Sequence, residues 1–546
     1  MADRSSLRAS AHVDRFAADH LPPRELWPAL RLDALPELGY PPRLNAAVVL
    51  LDRHVLAGNG DRIALRFADG AWTYRELSQK SNRIAHVLCQ DFGLQPGNRV
   101  LLRGTNHPML AACWFAVLKA GGICVTTMPM LRSRELSALC EKARIGLALT
   151  DTRLAEEIER VPDRSEFLQR VVHFNTTAAD GLDSRMTRHT GTFANVDTAA
   201  DDVAIIAFTS GTTGVPKGTM HFHRDLIAVC DTFSKHVLQP TPDDVFCGSP
   251  PLAFTFGLGG MLLFPLHVGA SALLLEDASP PALLEGIARH RATICFTAPT
   301  AYRAMTPKAS DHDIGCLRRC VSAGETLPTA TFEAWQAATG LKIIDGIGST
   351  ELLHIFISAP EEDVRAGSTG RVVPGYEAIV VDDDGRPVPP DQVGRLAVRG
   401  PTGCRYLADE ERQRTYVQNG WNLTGDAYIR DADGWFWYQA RTDDMIISSG
   451  YNIAGPEVEN VLLEHPCVQE CAVVGLPDAE RGHVVSAFVV LRAGHEPGAA
   501  TVKLLQDHVK NAIAPYKYPR RVEFVDQLPR TQTGKLQRFR LREEHG

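Results

Sequence analysis

Residues 209–218 read TSGTTGVPKG and follow directly on the apolar run VAIIAF at 203–208. The run predicts a buried strand, and the decapeptide predicts the loop that leaves it. Glycines at 211, 214 and 218 let the backbone approach a ligand closely. The hydroxyls of Thr209, Ser210, Thr212 and Thr213 donate to oxygen, and Lys217 adds positive charge. Together these suit a polyphosphate. This is not the Walker A loop, which needs Gly immediately before Lys and a hydroxyl after it. Here Pro216 precedes Lys217 and Gly218 follows it.

Working outward, short β-branched runs alternate with amphipathic stretches over most of the chain. Strands are predicted at 99–102 and 122–126, with helices at 109–120 and 133–143. That alternation argues for α/β architecture with parallel sheets. Residues 377–381 and 394–399 read as two strands joined by the acidic, Gly/Pro-rich turn DDDGRPVPP, a β-rich subdomain closing the large domain. WFWYQARTDDMIISSGYN at 435–452 passes from aromatic strand through charged turn to a short apolar strand. A domain boundary is placed there: residues 1–439 form a large N-terminal domain, and residues 440–546 form a small α+β domain with helices at 455–464 and 501–511 and strands at 468–474 and 484–491.

A chain of 546 residues and 59.7 kDa, 44% hydrophobic and 22% charged, is an ordinary globular composition too long for one core. The net charge of -8 disfavours a general attraction to nucleic acid, which needs clustered Lys and Arg. Twelve scattered cysteines without a CxxC pair are expected as reduced, mostly buried thiols. The basic N-terminus has no apolar run behind it, and no stretch approaches the length of a membrane span. No membrane partner and a cytoplasmic location are expected.

Further motifs stand in order downstream: SAGE at 322–325, DGIGSTE at 345–351, TGD at 424–426, RTDD at 441–444 and PRTQTGK at 529–535. With TSGTTGVPKG these six resemble the signatures of the adenylate-forming superfamily, which includes acyl- and aryl-CoA ligases, peptide-synthetase adenylation domains and firefly luciferase. Ordered motifs across nearly the whole chain are far more specific than any one alone.

The resemblance implies ATP, Mg²⁺ and coenzyme A as co-substrates and cofactor. It implies that Ser322, Ala323, Gly324 and Glu325 pack on adenine, as do Asp345, Gly346, Ile347, Gly348 and Ser349. Thr350 would contact the α-phosphate and Glu351 would hold Mg²⁺, a hard cation that seeks carboxylate oxygen. Asp426 would chelate the ribose diol, Arg441 would bind nucleotide, Asp443 would be the hinge, and Lys535 would bridge the attacking carboxylate and the α-phosphate. Ser448, Ser449, Gly450 and Tyr451 would form the face used with CoA. One departure is Ile347, where the superfamily usually has an aromatic, so adenine packs on an aliphatic face rather than a ring. A reactive acyl-AMP gives a reason for a mobile lid that excludes water, the part given to the small domain.

Within the superfamily, GIGSTE followed by LLHIFIS, FTFGLGG at 254–260 and VPGYE at 373–377 resemble benzoate and 2-aminobenzoate CoA ligases, and the leader HVDRFAADHLPPRELWP resembles the latter more. The expected substrate is therefore a small aromatic carboxylate, best matched by 2-aminobenzoate, with a benzoate ligase of broad aryl specificity as the alternative. Phe254, Thr255, Phe256, Tyr302, Ala323, Gly346, Ile347 and His354 are the candidate lining of a flat apolar slot. A neutral His354, the Thr255 hydroxyl or a backbone carbonyl would accept from an ortho-amino group. Phe254 and Phe256 could equally be ordinary core aromatics. An adenylation enzyme loading a carrier protein in trans, a luciferase-like oxygenase and a non-catalytic nucleotide-binding protein are the rivals. A homodimer is left open as an assembly.

Overall fold

The computed structural model describes residues 9–163, 165–209, 216–442, 444–448, 451–478, 482–513, 515–530 and 536–546. Two largely parallel sheets make up the first two-thirds of the chain. The six-stranded sheet runs Arg170–Phe174, Leu147–Asp151, Arg99–Arg103, Ile123–Thr127 and Val203–Thr209 in parallel, and is closed at its edge by the antiparallel strand Lys217–Phe222. The nine-stranded sheet has Val245–Gly248, Ile294–Thr297, Arg319–Ala323 and Ile343–Gly348 as parallel neighbours, then turns antiparallel into Ile355–Ser358. Parallel strands covered on both faces read as continuous apolar runs, which is why RVLLR, ICVTT and ICFT lack alternation.

The helix Pro108–Lys119, PMLAACWFAVLK, is apolar all round and buried at every position, as a helix enclosed on all sides must be. Proline opens it, and the His107 side chain caps it by accepting from the Met109 N–H. Its one cation, Lys119, ends the helix inside the protein, where it is paired with Asp52 and donates to Asn82 Oδ1 at 2.8 Å.

The antiparallel third sheet contains Glu377–Val381, Val393–Arg399, Trp421–Arg430 and Phe436–Arg441, so the DDDGRPVPP turn does join two paired strands. After it, Ile446–Ser448, Val468–Asp478 and Gly482–Leu491 form a separate mixed sheet on which the helices Gly455–Glu464 and Ala499–Ala512 lie, with its own apolar core around Val458, Leu462, Val473 and Val489. The molecule is thus a large α/β part with a β-rich subdomain and a small α+β domain. All twelve cysteines are free thiols, ten of them buried. Among the described residues no helix is long and apolar enough to cross a membrane.

Candidate functional site

Val203–Thr209 and Lys217–Phe222 form a hairpin in which Thr209 stands opposite Lys217. The two described ends of the phosphate loop therefore meet at its mouth. Ser210, Gly211, Thr212, Thr213 and Gly214 lie outside the described residues, as do Asp443, Ser449, Gly450 and Lys535.

The strand ends of the nine-stranded sheet bring the next motifs together. Ser322 lies beside Asp345 and Ala323 beside Gly346 in parallel register. The Ser322 hydroxyl donates to Asp345 Oδ1 at 2.5 Å. Although the residue as a whole is only half-buried, its carboxyl lies deep, and that burial pushes Asp345 up to about 7. Gly324 turns the chain out of the strand at φ +89°, a conformation that favours glycine. Glu325, raised by burial against the opposing pull of Arg530, accepts from that arginine at 3.3 Å.

Past Ile347 and Gly348, the chain reverses through Ser349, Thr350 and Glu351 into the antiparallel strand Ile355–Ser358. Leu353 adopts φ +73° in this reversal, a left-handed backbone that costs a side-chain-bearing residue roughly 1 kcal/mol or more. Glu351 Oε1 accepts from the Tyr406 hydroxyl at 2.7 Å, and Oε2 accepts no hydrogen bond among the described residues. A Mg²⁺ ion held mostly by substrate phosphates needs one protein carboxylate, and Glu351 fits that need. Asp426 stands opposite Arg441 in antiparallel register, and Arg441 donates to its Oδ1 at 3.1 Å. Tyr416, whose hydroxyl lies 3.5 Å from that of Ser349, senses both acids: its phenol is pushed up by burial and then by the charges of Glu351 and Asp426.

The segment 254–260 and the residues packed on it have the opposite character. Thr255 and Phe256 begin the helical turn Thr255–Leu258, preceded by Phe254, and all three are half-buried. The chain continues into the π-helical turn Gly259–Leu263. A methyl group added at Gly259 would meet the His354 ring at 2.4 Å, and one at Gly260 would meet the Phe296 ring at 2.7 Å. Those glycines are what let two rings lie flat against a helix backbone. His354 is 3% exposed and surrounded by Phe264 at 4.6 Å, Phe233 at 5.4 Å and Phe256 at 5.8 Å between ring centroids. Burial lowers its pKa to about 3, opposed by a hydrogen bond to the Phe256 backbone, so the imidazole is neutral. Neither ring nitrogen makes a hydrogen bond of good geometry among the described residues, and the Phe256 backbone is the one polar group that comes near to pairing with the ring.

Ala323 and Gly346 lie side by side, and Ile347 packs on the same apolar cluster as Phe256 and Phe296. Tyr302 is a correction. It is fully buried in a different cluster, packed on Trp335 at 4.9 Å, with its hydroxyl donating to the carbonyls of Cys295 and Val321. A tyrosine whose polar end is already satisfied inside the core is not part of the slot.

In the small domain, Ser448 is buried at the end of a strand and stands opposite Tyr451. Arg530, in the motif that carries Lys535, donates to Glu470 at 3.0 Å as well as to Glu325, and Arg303 of the large part donates to the same Glu470 at 3.0 Å. The start of the Lys535 motif is thereby docked on the SAGE segment. Sequence reading missed Phe233, Phe264, Phe296, Tyr406 and Arg530; only Arg530, inside a quoted motif, had a local signal.

The chain matches the family model of the AMP-binding enzyme over residues 52–406 and that of the AMP-binding enzyme C-terminal domain over residues 457–535. A benzoate–CoA ligase of Thauera aromatica is 36% identical over 515 residues, covering 93% of this chain and 97% of that protein. A 4-hydroxybenzoate–CoA/benzoate–CoA ligase of Rhodopseudomonas palustris is 32% identical over 508 residues, covering 91% and 94%. The crystal structure of the anthranilate CoA ligase AuaEII in complex with anthranoyl-AMP superposes with a TM-score of 0.88 at 35% identity, covering 92% of this chain and 98% of that one.

Proposed function

The chain belongs to the AMP-binding enzyme family and is an acid–thiol ligase, and from that premise we propose an ATP-dependent aryl acid–CoA ligase whose preferred acid is 2-aminobenzoate. The observation that carries the aryl assignment is His354: a neutral imidazole walled by phenylalanine rings, with the Phe256 backbone as its one near partner and no hydrogen bond of good geometry among the described residues. A buried polar group without a partner costs roughly 1–3 kcal/mol, and an aryl acid carrying a donor ortho to its carboxylate supplies the partner. The aromatic walls supply the flat apolar contact.

In the first step a carboxylate oxygen attacks the α-phosphorus of ATP, and diphosphate leaves. Two anions must meet, so positive charge has to stand between them. Lys535 takes that place, Lys217 and the hydroxyls of residues 209–213 hold the outer phosphates, and Thr350 holds the α-phosphate. Glu351 would hold Mg²⁺, which when bound would supply Lewis-acid neutralisation of phosphate charge. Asp426 accepts from the ribose diol and Arg441 steadies Asp426. In the second step the CoA sulfur attacks the aryl carbonyl, AMP leaves and the thiol proton is released. Residues 440–546 act as the lid, turning at Asp443 so that Lys535 withdraws and Ser448–Tyr451 faces CoA.

The test is acid-dependent AMP release with CoA and Mg-ATP, comparing 2-aminobenzoate, benzoate, halobenzoates, phenylacetate, 4-hydroxycinnamate and a medium-chain fatty acid. The highest kcat/KM is expected with 2-aminobenzoate. A benzoate preference supports the second reading, a broad aryl ligase, which rests on the scarcity of polar groups around His354. Turnover of only the fatty acid or the cinnamate overturns the slot. Thioester formation with free CoA separates both readings from loading of a carrier protein.

A further inference from the structure

The turn that bears Thr350 and Glu351 is held from two sides by residues outside every motif quoted above. Tyr406, 2% exposed, donates its hydroxyl to Glu351 Oε1 at 2.7 Å. His221, fully buried, lies 2.7 Å from the Thr350 carbonyl through Nε2. A carbonyl only accepts, so Nε2 carries the proton. Fifty-five residues separate Tyr406 from Glu351, and 129 separate His221 from Thr350.

The two holding residues belong to one rigid unit. Residues 405–407 lie along Lys217–Phe222, the strand that leaves the phosphate loop: Thr219 bridges to Tyr406, the Met220 N–H donates to the Arg405 carbonyl at 2.8 Å, and the Leu407 N–H donates to the Gly218 carbonyl at 2.8 Å. Arg405 and Asp225, both fully buried, pin the unit with an ion pair of 2.8 Å. The Arg405 guanidinium also lies 4.0 Å over the Phe222 ring. Asp225 accepts the Phe222 N–H at 3.0 Å and stands 3.8 Å from His221 Nδ1. Burial would raise Asp225, but Arg405 and His221 hold it low and charged. Burial, and then the neighbouring Glu351, push the Tyr406 phenol far up, so it stays a donor. The turn itself needs holding, because Leu353 sits in the left-handed region, and such a backbone persists only where its surroundings over-determine it.

We propose that Tyr406 and His221 are positioning residues for the adenylation half-reaction, fixing the Glu351 carboxylate and the Thr350 backbone relative to the phosphate loop. One of the two Glu351 oxygens is engaged by Tyr406, so the other is presented in one orientation to the cation that accompanies ATP. The inference rests on the roles given to Thr350 and Glu351 in the proposed function.

The experiment is Tyr406→Phe, which keeps the ring and removes only the donor, read in four ways: diphosphate release, KM for the aryl acid, Mn²⁺·ATP binding by calorimetry, and conversion of synthetic aryl-AMP plus CoA to thioester. Adenylation kcat should fall by about 10- to 100-fold, in the range of one misaligned catalytic group. Mn²⁺·ATP affinity should fall by about tenfold, while KM for the acid and the second half-reaction stay within about twofold of the parent enzyme. His221→Leu should show the same split, and His221→Gln, whose Nε2 can still donate to Thr350, should recover most of the loss. If Tyr406→Phe slows both half-reactions equally, or neither, the positioning role is wrong and Tyr406 serves only the fold. If the parent enzyme releases no diphosphate with any acid, the proposed function falls instead, and Mn²⁺·ATP binding still decides the role of Tyr406.

Discussion

Glu351 and His354 stand three residues apart on one turn, and their surroundings are opposite. Around Glu351 there are donors and phenols: Tyr406 on one oxygen, with Tyr416 and Ser349 close by. Around His354 there are rings, and neither nitrogen makes a hydrogen bond of good geometry among the described residues. The first is a charge whose orientation the protein fixes in advance, suited to a ligand whose charge distribution is always the same, as a nucleotide's is. The second is a neutral ring in an apolar wall; on the proposed function, it is the place where selectivity depends on which ligand arrives. On the proposed function, catalytic power and specificity would sit on the two ends of one strand reversal.

The contrast is broken first at its polar end. Glu351→Gln keeps the shape and one acceptor but removes the charge, and adenylation should drop about 10²- to 10³-fold, the size seen when one electrostatic stabiliser of a transition state is lost. Stopped-flow diphosphate release measures it. An effect below tenfold would mean that Glu351 is ordinary polar surface lining a cleft.

The apolar end is sharpened by acid. His354, like His223 and His267, is held near 3 by burial in the fold, whereas an unfolded chain binds the proton near 6.5. Between those values the unfolded state carries more protons, so each of the three makes the fold less stable as pH falls. Asp345, raised to about 7 by burial, works in the other direction, since here the native state holds the proton that the unfolded chain has lost. Lowering pH from 6.5 to 5.5 should therefore weaken the fold in urea denaturation by about 1 kcal/mol for each of these three histidines, with Asp345 offsetting about one of them. His12, His54, His107, His290 and His465, also lowered by burial, add to the loss. His354→Leu should remove about 1 kcal/mol of that loss over the same pH step; an unchanged slope would mean that the ring is already charged in the fold.

The same His354→Leu variant makes a smaller change in selectivity. Losing one neutral hydrogen bond to the substrate is worth about 1 kcal/mol, so the kcat/KM ratio of 2-aminobenzoate to benzoate should fall roughly five- to tenfold. Benzoate turnover itself should be nearly kept. A constant ratio would leave His354 as a core histidine and move recognition of the amino group to Thr255 or a backbone carbonyl.

What the sequence made legible follows the range of the interactions. The strand at 203–209, the helix Ser133–Ala143 and the paired strands Glu377–Val381 and Val393–Arg399 are local patterns of period and turn chemistry, and they appear where the sequence puts them to within a residue or two. The motifs of the nucleotide end were legible because each is contiguous. The wall around His354 was not, because Phe233, Phe264 and Phe296 come from three separate segments that nothing in their neighbourhoods marks. Tyr302 shows the converse error: an aromatic following a strand that borders the slot seemed a lining residue, but its helix turns it toward Trp335. Tyr406 and His221 were invisible for the same reason as the phenylalanines, since a contact across tens of residues leaves no spacing to read.

The smallest effect is expected where the two parts of the molecule meet, and its smallness matters. Arg303, Glu470, Arg530 and Glu325 form a chain of ion pairs from the large part to the small domain, with the side chains of Arg303, Glu470 and Arg530 each about a quarter exposed, at 28%, 26% and 28%. Arg303–Glu470 and Arg530–Glu470, partly open to water on both sides, are each worth about 0.2–1 kcal/mol and are screened by salt, while Glu325 at 16% is the more buried end of the chain. If the small domain is the lid proposed above, a contact of that strength would bias it toward the orientation that docks Arg530 on Glu325, yet still let it turn once the adenylate has formed. Buried pairs such as Arg405–Asp225 could not serve there, because breaking one strands an uncompensated charge at a cost of about 3–5 kcal/mol. Arg303→Met, which keeps the apolar stem, should therefore shift the balance by only about two- to fivefold, slowing adenylation slightly and speeding thioester formation from preformed aryl-AMP by a similar factor. Raising ionic strength should do the same to the parent enzyme and less to the variant, which keeps the Arg530–Glu325 pair across the interface. A loss of a hundredfold in either half-reaction would mean that the interface is a lock rather than a bias, and that the lid does not turn between the two steps.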